Sequence, residues 1–267
     1  IATLNKGLGL IKTPFIARMD ADDISLPTRL ETQYQFMQNH PQVGACGTWY
    51  DNILPDNTER KGGRYLAGHN QVLFKNLYQL HIIHGTTMMR TEAIKNHNLT
   101  FNSAFSHAED YDFFTRLAKF AELFNIPSAL YKIRHHSQSV SKKFSTIQEE
   151  NSNTVKQRIF EEIGVSVNSE QLNLYRELMH QNYGNLTGAK RQEVVDLVTA
   201  LVSANNKSKY LPPEFLRKEL SVCVMHLYNQ NSRVEKNLFS EFRNTTFLRF
   251  SDNPKLYLST CGKVLIT

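Results

Sequence analysis

The sequence predicts an α/β layer architecture followed by a mostly helical extension. Three observations carry this. Strand-like and helix-like stretches alternate as far as about residue 141, the pattern of packed sheet and helix layers. From Phe144 onward the strand signal gives way to four helix-length segments, separated by Gly164, Gly184-Asn185 and Asn205-Asn206. With 267 residues, 40% hydrophobic and 21% charged, the composition is globular, enough for one large domain or a domain with an appendage.

Taken in order, Asn5 to Gly9 reads as a loop, and Phe15 to Met19 as a short strand that runs into Asp20-Ala21-Asp22-Asp23. Ser25 then suits a helix N-cap, with Pro27 in the first turn, where its missing N–H costs nothing. Leu30, Tyr34 and Met37 recur at i, i+4 and i+7, which predicts a one-faced helix ending near His40-Pro41. Val43 to Ile53 is strand-like, Pro55 to Gly68 a polar loop, His69 to Leu80 a helix, and Ile82 to Arg90 a strand. Glu92 to His97 predicts a short helix and Phe101 to Ala108 irregular chain. Asp110 to Phe124 predicts a helix with Phe113, Leu117, Phe120 and Phe124 on one face, and Ala129 to Arg134 a strand. The extension's helices are expected over Glu149 to Ile163, Ser169 to Tyr183, Gln192 to Ala204 and Pro213 to Tyr228, and the domain boundary near residue 145.

Charge and cysteines bound the function less tightly. The net charge is +6, with 16 basic and 14 acidic residues in 1–150 against 15 and 11 in 151–267. That bias suits phosphate-bearing ligands or an anionic membrane surface and is too weak for nucleic acid. Cys46, Cys223 and Cys261 form no metal spacing and fit free thiols in a reducing compartment. No apolar run approaches a membrane span, and no basic-then-apolar leader opens the chain. The first residue is Ile1 rather than Met, so the chain is expected to begin inside a longer protein.

Three stretches have the residue types for chemistry. Asp20, Asp22 and Asp23 place three carboxylates within four residues at a strand end, where they repel unless a cation holds them. Oxygen-only ligands favour Mg²⁺ or Mn²⁺, and strand C-termini are where open α/β sheets bind ligands. An Asp-rich turn capping the next helix is the alternative reading of this stretch alone; a calcium loop fits poorly, because Ser25 replaces the required Gly and Pro27 interrupts. The second stretch, Glu109-Asp110-Tyr111-Asp112, opens a helix. Its carboxylates suit simple capping of the dipole, or a base that takes a proton from an attacking hydroxyl. The third, Tyr131 to Ser141, combines Lys132, Arg134, His135 and His136 with three serines, either a solvated polar loop or a phosphate and metal site. His84 reads as a core-edge histidine.

In this order the stretches resemble the family 2 glycosyltransferases of GT-A fold. The matching pieces are Asn5-Lys6-Gly7-Leu8, Ile16 to Asp23 with Pro27 to Glu31, Val43 to Thr48, Met88-Met89-Arg90, Glu109 to Asp112 with Arg116-Leu117, and Arg134-His135-His136 with Ser139-Val140-Ser141. They cover about residues 5–141. The resemblance implies a Rossmann-like mixed sheet flanked by helices, truncated at its N-terminus, in residues 1–145, and a helical extension in 146–267. It implies that Asp20 and Asp22 bind the nucleotide-sugar and, with His136, a Mn²⁺ or Mg²⁺, with Asp23 in support. Asp110 would be the catalytic base, with Glu109 and Arg134 supporting the acceptor and active site. The implied reaction is an inverting displacement that moves a sugar from a nucleotide-sugar to a polysaccharide or lipid-linked glycan acceptor.

Two departures follow. The family's opening β-α-β segment, which holds the base, has no counterpart, so little or no activity is expected of this chain alone. Lys132 stands where the family often has Arg, a mild change for phosphate contact. The tail from Lys207, with 10 basic and 5 acidic residues interleaved with aromatics, suits either a helical bundle or the surface of an anionic bilayer. The resemblance thus implies a cytoplasmic protein, with peripheral contact at the inner membrane face. The alternatives are a metal-dependent phosphohydrolase with Asp20 as nucleophile and Asp22 as acid, or a non-catalytic scaffold.

Overall fold

The computed structural model describes residues 1–65, 67–135, 144–232 and 238–266. The chain forms two compact units, 1–155 and 156–267.

The first unit contains α1 (Ala2–Leu10), β1 (Phe15–Ala17), β2 (Ile24–Ser25), α2 (Arg29–Asn39), β3 (Val43–Ile53) and β4 (Glu59–Lys61). α3 (His69–Lys75), β5 (Met88–Arg90), α4 (Thr91–Asn96), α5 (Glu109–Leu117) and β6 (Glu122–Arg134) follow, then α6 (Ser145–Ile163), within which the two units divide. The sheet runs β1-β5-β3-β6-β2, with β4 paired to β3. It is mixed, as expected: β3 and β6 are parallel, and the other pairs antiparallel. Successive strand residues face opposite sides, so Met88 packs with Met37, Cys46 and Ile126, while Met89 packs with Phe113, Phe114, Leu117 and Ile94. The sheet is thereby sandwiched between α2 on one face and α4 and α5 on the other. This fixes the end of β1 and the start of α5 as neighbours of one core.

Val43 to Ile53 is a strand over the expected residues. Five local expectations are corrected. Asn5 to Gly9 is helical, because Leu4 and Leu8 pack on the core and the Asn5 amide exchanges two 2.8 Å hydrogen bonds with the Phe101 backbone. Ser25 pairs with Tyr131 in β2 instead of capping, and α2 begins after Thr28. Leu30 and Tyr34 are exposed; the buried face is Arg29, Gln33 and Met37, because two polar side chains find partners inside. Only Met88–Arg90 of the Ile82 to Arg90 stretch is strand: the Thr86 and Thr87 hydroxyls donate to the carbonyls three residues back and close a 3₁₀ turn at His84–Thr86. α5 stops at Leu117, leaving Phe120 exposed and Phe124 on β6, because β6 pairs with β3 from Glu122 onward, and that pairing overrides the helical period.

The second unit is helical: α7 (Ser169–Met179), α8 (Gly188–Ser208), α9 (Pro213–Asn231), α10 (Phe239–Asn244) and α11 (Pro254–Ile266), besides the end of α6. Gly164, at φ +105°, ends α6. α7 opens with an Asn168–Gln171 capping box. Its core includes Leu172, Leu178, Val194, Val198, Leu201, Leu220 and Val224, with buried Arg217 paired to Asp252 at 2.6 Å. Among the described residues no helix is long and apolar enough to cross a membrane.

Candidate active site

β1 ends on Ala17, and Arg18 to Asp23 turn across the sheet edge toward β6. Three buried side chains hold that turn. The Tyr131 hydroxyl on β6 accepts from the Asp20 N–H at 3.0 Å and hydrogen-bonds the Asp23 carboxylate. Arg29 donates to the carbonyls of Arg18 at 2.6 Å and Thr87 at 3.2 Å, lies over the Tyr131 ring, and bonds Gln33 at 2.9 Å. Gln33 donates onward to the carbonyls of Cys46 and Thr86 at 3.0 and 2.9 Å. Main-chain dipoles thus solvate a guanidinium that is 1% exposed, and burial lowers its pKa.

Asp20 forms an ion pair with Arg18. Gly85 lies against both: a Cβ there would stand 3.0 Å from the Tyr131 hydroxyl, 3.1 Å from Asp20 Oδ2 and 3.3 Å from Arg18 Nη1, so any other residue would push these groups aside by a few tenths of an ångström. Arg134 donates its backbone N–H to Asp23 Oδ1 at 2.9 Å and its Nε to the Asp22 carbonyl at 3.1 Å. Burial raises the pKa of Asp23, against the Arg134 and Tyr131 hydrogen bonds, which lower it.

Arg18, Asp20, His84, Gly85, His107, Glu109, Asp110 and Gln148 line a cavity of ≈ 290 Å³ with Ile83. The acidic turn and the start of α5 therefore share one space. Asp22, which is exposed, and Asp23 and Arg134 do not line it. His136 and Ser139 to Ser141 lie outside the described residues.

The carboxylates of α5 differ sharply. Asp112 is fully buried and neutralised by Arg116, at 3.0 and 2.6 Å. Asp110 accepts the Tyr111 N–H at 2.8 Å, and its pKa is raised to about 6, first by burial and then by Glu109. Glu109 Oε2 is buried without a hydrogen-bond partner. His84 is wedged between Phe101 and Phe114, and burial, helped by Arg18, pushes it down to about 3, so it is a neutral imidazole.

Among the described residues no three His, Cys, Asp or Glu side chains gather as a metal cluster. Two carboxylates on one turn, Asp20 on the cavity and Asp22 exposed beside it, still fit a hard cation of the Mg²⁺ type. Such an ion is commonly bound by one or two carboxylates plus substrate phosphates and water.

Sequence reasoning gave no role to Arg29, Gln33, Gly85, His107 or Gln148. The signal for Arg29 and Gln33 was their i, i+4, i+8 spacing with Met37, masked by the more apolar Leu30 and Tyr34. Nothing in the local sequence marks His107 or Gln148.

Residues 1–98 match the family model "Glycosyl transferase family 2". An uncharacterized glycosyltransferase of Haemophilus influenzae is 30% identical over 164 residues, 58% of this chain and 51% of that protein. The amylovoran biosynthesis glycosyltransferase AmsE of Erwinia amylovora is 30% identical over 146 residues, 52% of each. The O-antigen biosynthesis glycosyltransferase WbnJ of Escherichia coli is 31% identical over 150 residues, 52% of this chain and 54% of that protein. The chain spans about half the length of these curated relatives. A crystal structure of S. aureus TarS 1-349 in complex with UDP-GlcNAc aligns at 15% identity and TM-score 0.49, covering 96% of this chain and 70% of that one.

Proposed function

We propose, for a chain that belongs to glycosyl transferase family 2 through its residues 1–98, that it moves a sugar from a nucleotide-sugar to a glycan or lipid-linked glycan acceptor in cell-surface polysaccharide synthesis. The observation that carries the reading is the single cavity lined by both Asp20 and Asp110. The O-antigen and amylovoran relatives support the polysaccharide setting. In this reading residues 1–145 carry the transferase domain and 146–267 a helical extension.

Asp110 is the base. Its pKa of about 6 leaves it ionised at neutral pH yet basic enough to take the acceptor hydroxyl's proton as the bond to the anomeric carbon forms. The reaction is a single displacement with inversion. Asp20 and Asp22 would hold Mn²⁺ or Mg²⁺, which when bound neutralises charge on the departing diphosphate. Arg18 orients Asp20, and Tyr131 and Arg134 keep the acidic turn in shape. Glu109 faces the acceptor beside the base.

The test, made on a longer protein that includes a base-holding segment, is nucleoside diphosphate release from a panel of UDP-, GDP- and dTDP-sugars with Mn²⁺ and mixed glycan acceptors, the product's anomeric configuration being read by NMR. Acceptor-stimulated release with inversion is expected, lost in Asp22→Ala. Retention of configuration, or release indifferent to Asp22, refutes the mechanism.

A further inference from the structure

Helix α6 begins directly after Phe144, and its first turns carry three residues on one face. Phe144, Gln148 and Asn151 are spaced i, i+4 and i+7. Phe144 stacks on the His107 ring at 4.3 Å and 12°. Asn151 donates to the Ser106 carbonyl at 2.8 Å. Gln148 stands between them and lines the cavity, as does His107. His107 holds φ at +65°, uncommon for any residue but glycine. The stack on Phe144 and the bond to Ser106 hold this turn, two residues before Glu109.

Among the described residues neither the Gln148 amide nor the His107 imidazole has a side-chain hydrogen-bond partner. An amide and an imidazole each offer both donor and acceptor atoms, as sugar hydroxyls do. Among the described residues the cation on the cavity wall is Arg18, and it is already paired with Asp20. Glu109 and Asp110 would repel a phosphate or carboxylate brought beside them.

We propose that His107 and Gln148 form the subsite for the acceptor's terminal residue, an uncharged pyranose whose hydroxyl is presented to Asp110. The assignment of this sugar as acceptor rests on the glycosyltransferase reading. The subsite itself rests on the geometry of α6 against residues 106–107. It places the start of α6 in substrate selection and favours a neutral sugar over an acceptor whose terminal group is a phosphate.

The experiment is saturation-transfer NMR on the 267-residue chain with methyl β-D-glucopyranoside, methyl β-D-galactopyranoside and glycerol 3-phosphate at millimolar concentration. The variants are Gln148→Ala, which suits a helix, and His107→Asn, which tolerates positive φ. Trp49 fluorescence verifies that both fold. At least one glycoside is expected to show saturation in the wild type, reduced at least five-fold in both variants. Equal saturation in wild type and variants, no saturation of either glycoside, or preference for glycerol 3-phosphate overturns the proposal. Thermal stabilisation by UDP, GDP or dTDP with Mn²⁺ is measured in parallel. If none of these stabilises while the glycosides behave as expected, the donor reading fails and the sugar subsite stands.

Discussion

Asp110→Asn should stabilise the fold at neutral pH while removing the proposed base. The carboxyl's pKa rises from 3.8 to about 6 in the folded chain. The folded state therefore holds the proton more tightly than the unfolded state. Between pH 4 and 6 the folded state binds more protons than the unfolded, so stability falls as pH rises across that window, and levels off above it. At 1.36 kcal/mol per unit the cost is about 3 kcal/mol at pH 7.5. The dipole at the start of α5 favours the charge by roughly 0.5 kcal/mol, which leaves about 2 to 3 kcal/mol for Asn to recover. Asn keeps an oxygen for the Tyr111 N–H, so no bond is lost. Urea unfolding followed by Trp49, the sole tryptophan and a β3 residue, reads this unit. The stabilisation should be full at pH 7.5 and about a third as large at pH 4.5. A variant no more stable than wild type at pH 7.5, or a gain equal at both pH values, refutes the reasoning.

Three further outcomes follow from the same geometry. Arg29→Ala strips charged donors from the carbonyls of Arg18 and Thr87 and should cost about 3 kcal/mol or more, measured by the same unfolding assay. Gly85→Ala puts a methyl 3.1 Å from Asp20 Oδ2 and should weaken Mn²⁺-dependent nucleotide binding at least ten-fold by calorimetry, with a stability loss of about 1 to 3 kcal/mol. Transfer should show an acid limb with an apparent pKa near 6, because Asp110 must be ionised, and EDTA should abolish it; a flat profile from pH 5 to 8 would remove Asp110 as the base.

The fold class was legible because layer alternation is a property of long stretches, and strand Val43 to Ile53 because its pattern is continuous. The failures at α2 and α5 have two causes. Where polar side chains find buried partners, hydrophobic periodicity misreads the inward face: Arg29 and Gln33 lie inside α2, and Leu30 and Tyr34 outside. Where strand pairing competes with a helical period, pairing wins, as at Phe124. The acidic turn and the start of α5 were legible as chemistry, since clustered carboxylates are visible in one dimension. That they meet on one cavity was expected from the family resemblance and not from any local pattern, because it depends on β1 lying beside β5 and α5 covering the same face. His107 and Gln148 depend on a helix returning to a loop some forty residues earlier, which no local pattern encodes.

The carboxylates of α5 separate structure from chemistry within four residues. Asp112 is deeper than Asp110, yet Arg116 neutralises it. Its burial is compensated as buried charges ordinarily are. Among the described residues Asp110 has no comparable cation: Arg18 lowers its pKa less than burial and Glu109 raise it. A chain selected for stability alone would place Asn or Ser at this helix start, since either caps without the charge. Retaining an ionisable group at a cost of about 2 to 3 kcal/mol, in a cavity shared with Asp20 and beside a glutamate whose Oε2 is unpaired, supports the proposed role of Asp110 as the base. If Asp110→Asn and Asp112→Asn are compared, the two should move stability in opposite directions: the first upward, the second downward by about 3 kcal/mol or more because Arg116 is left without its carboxylate.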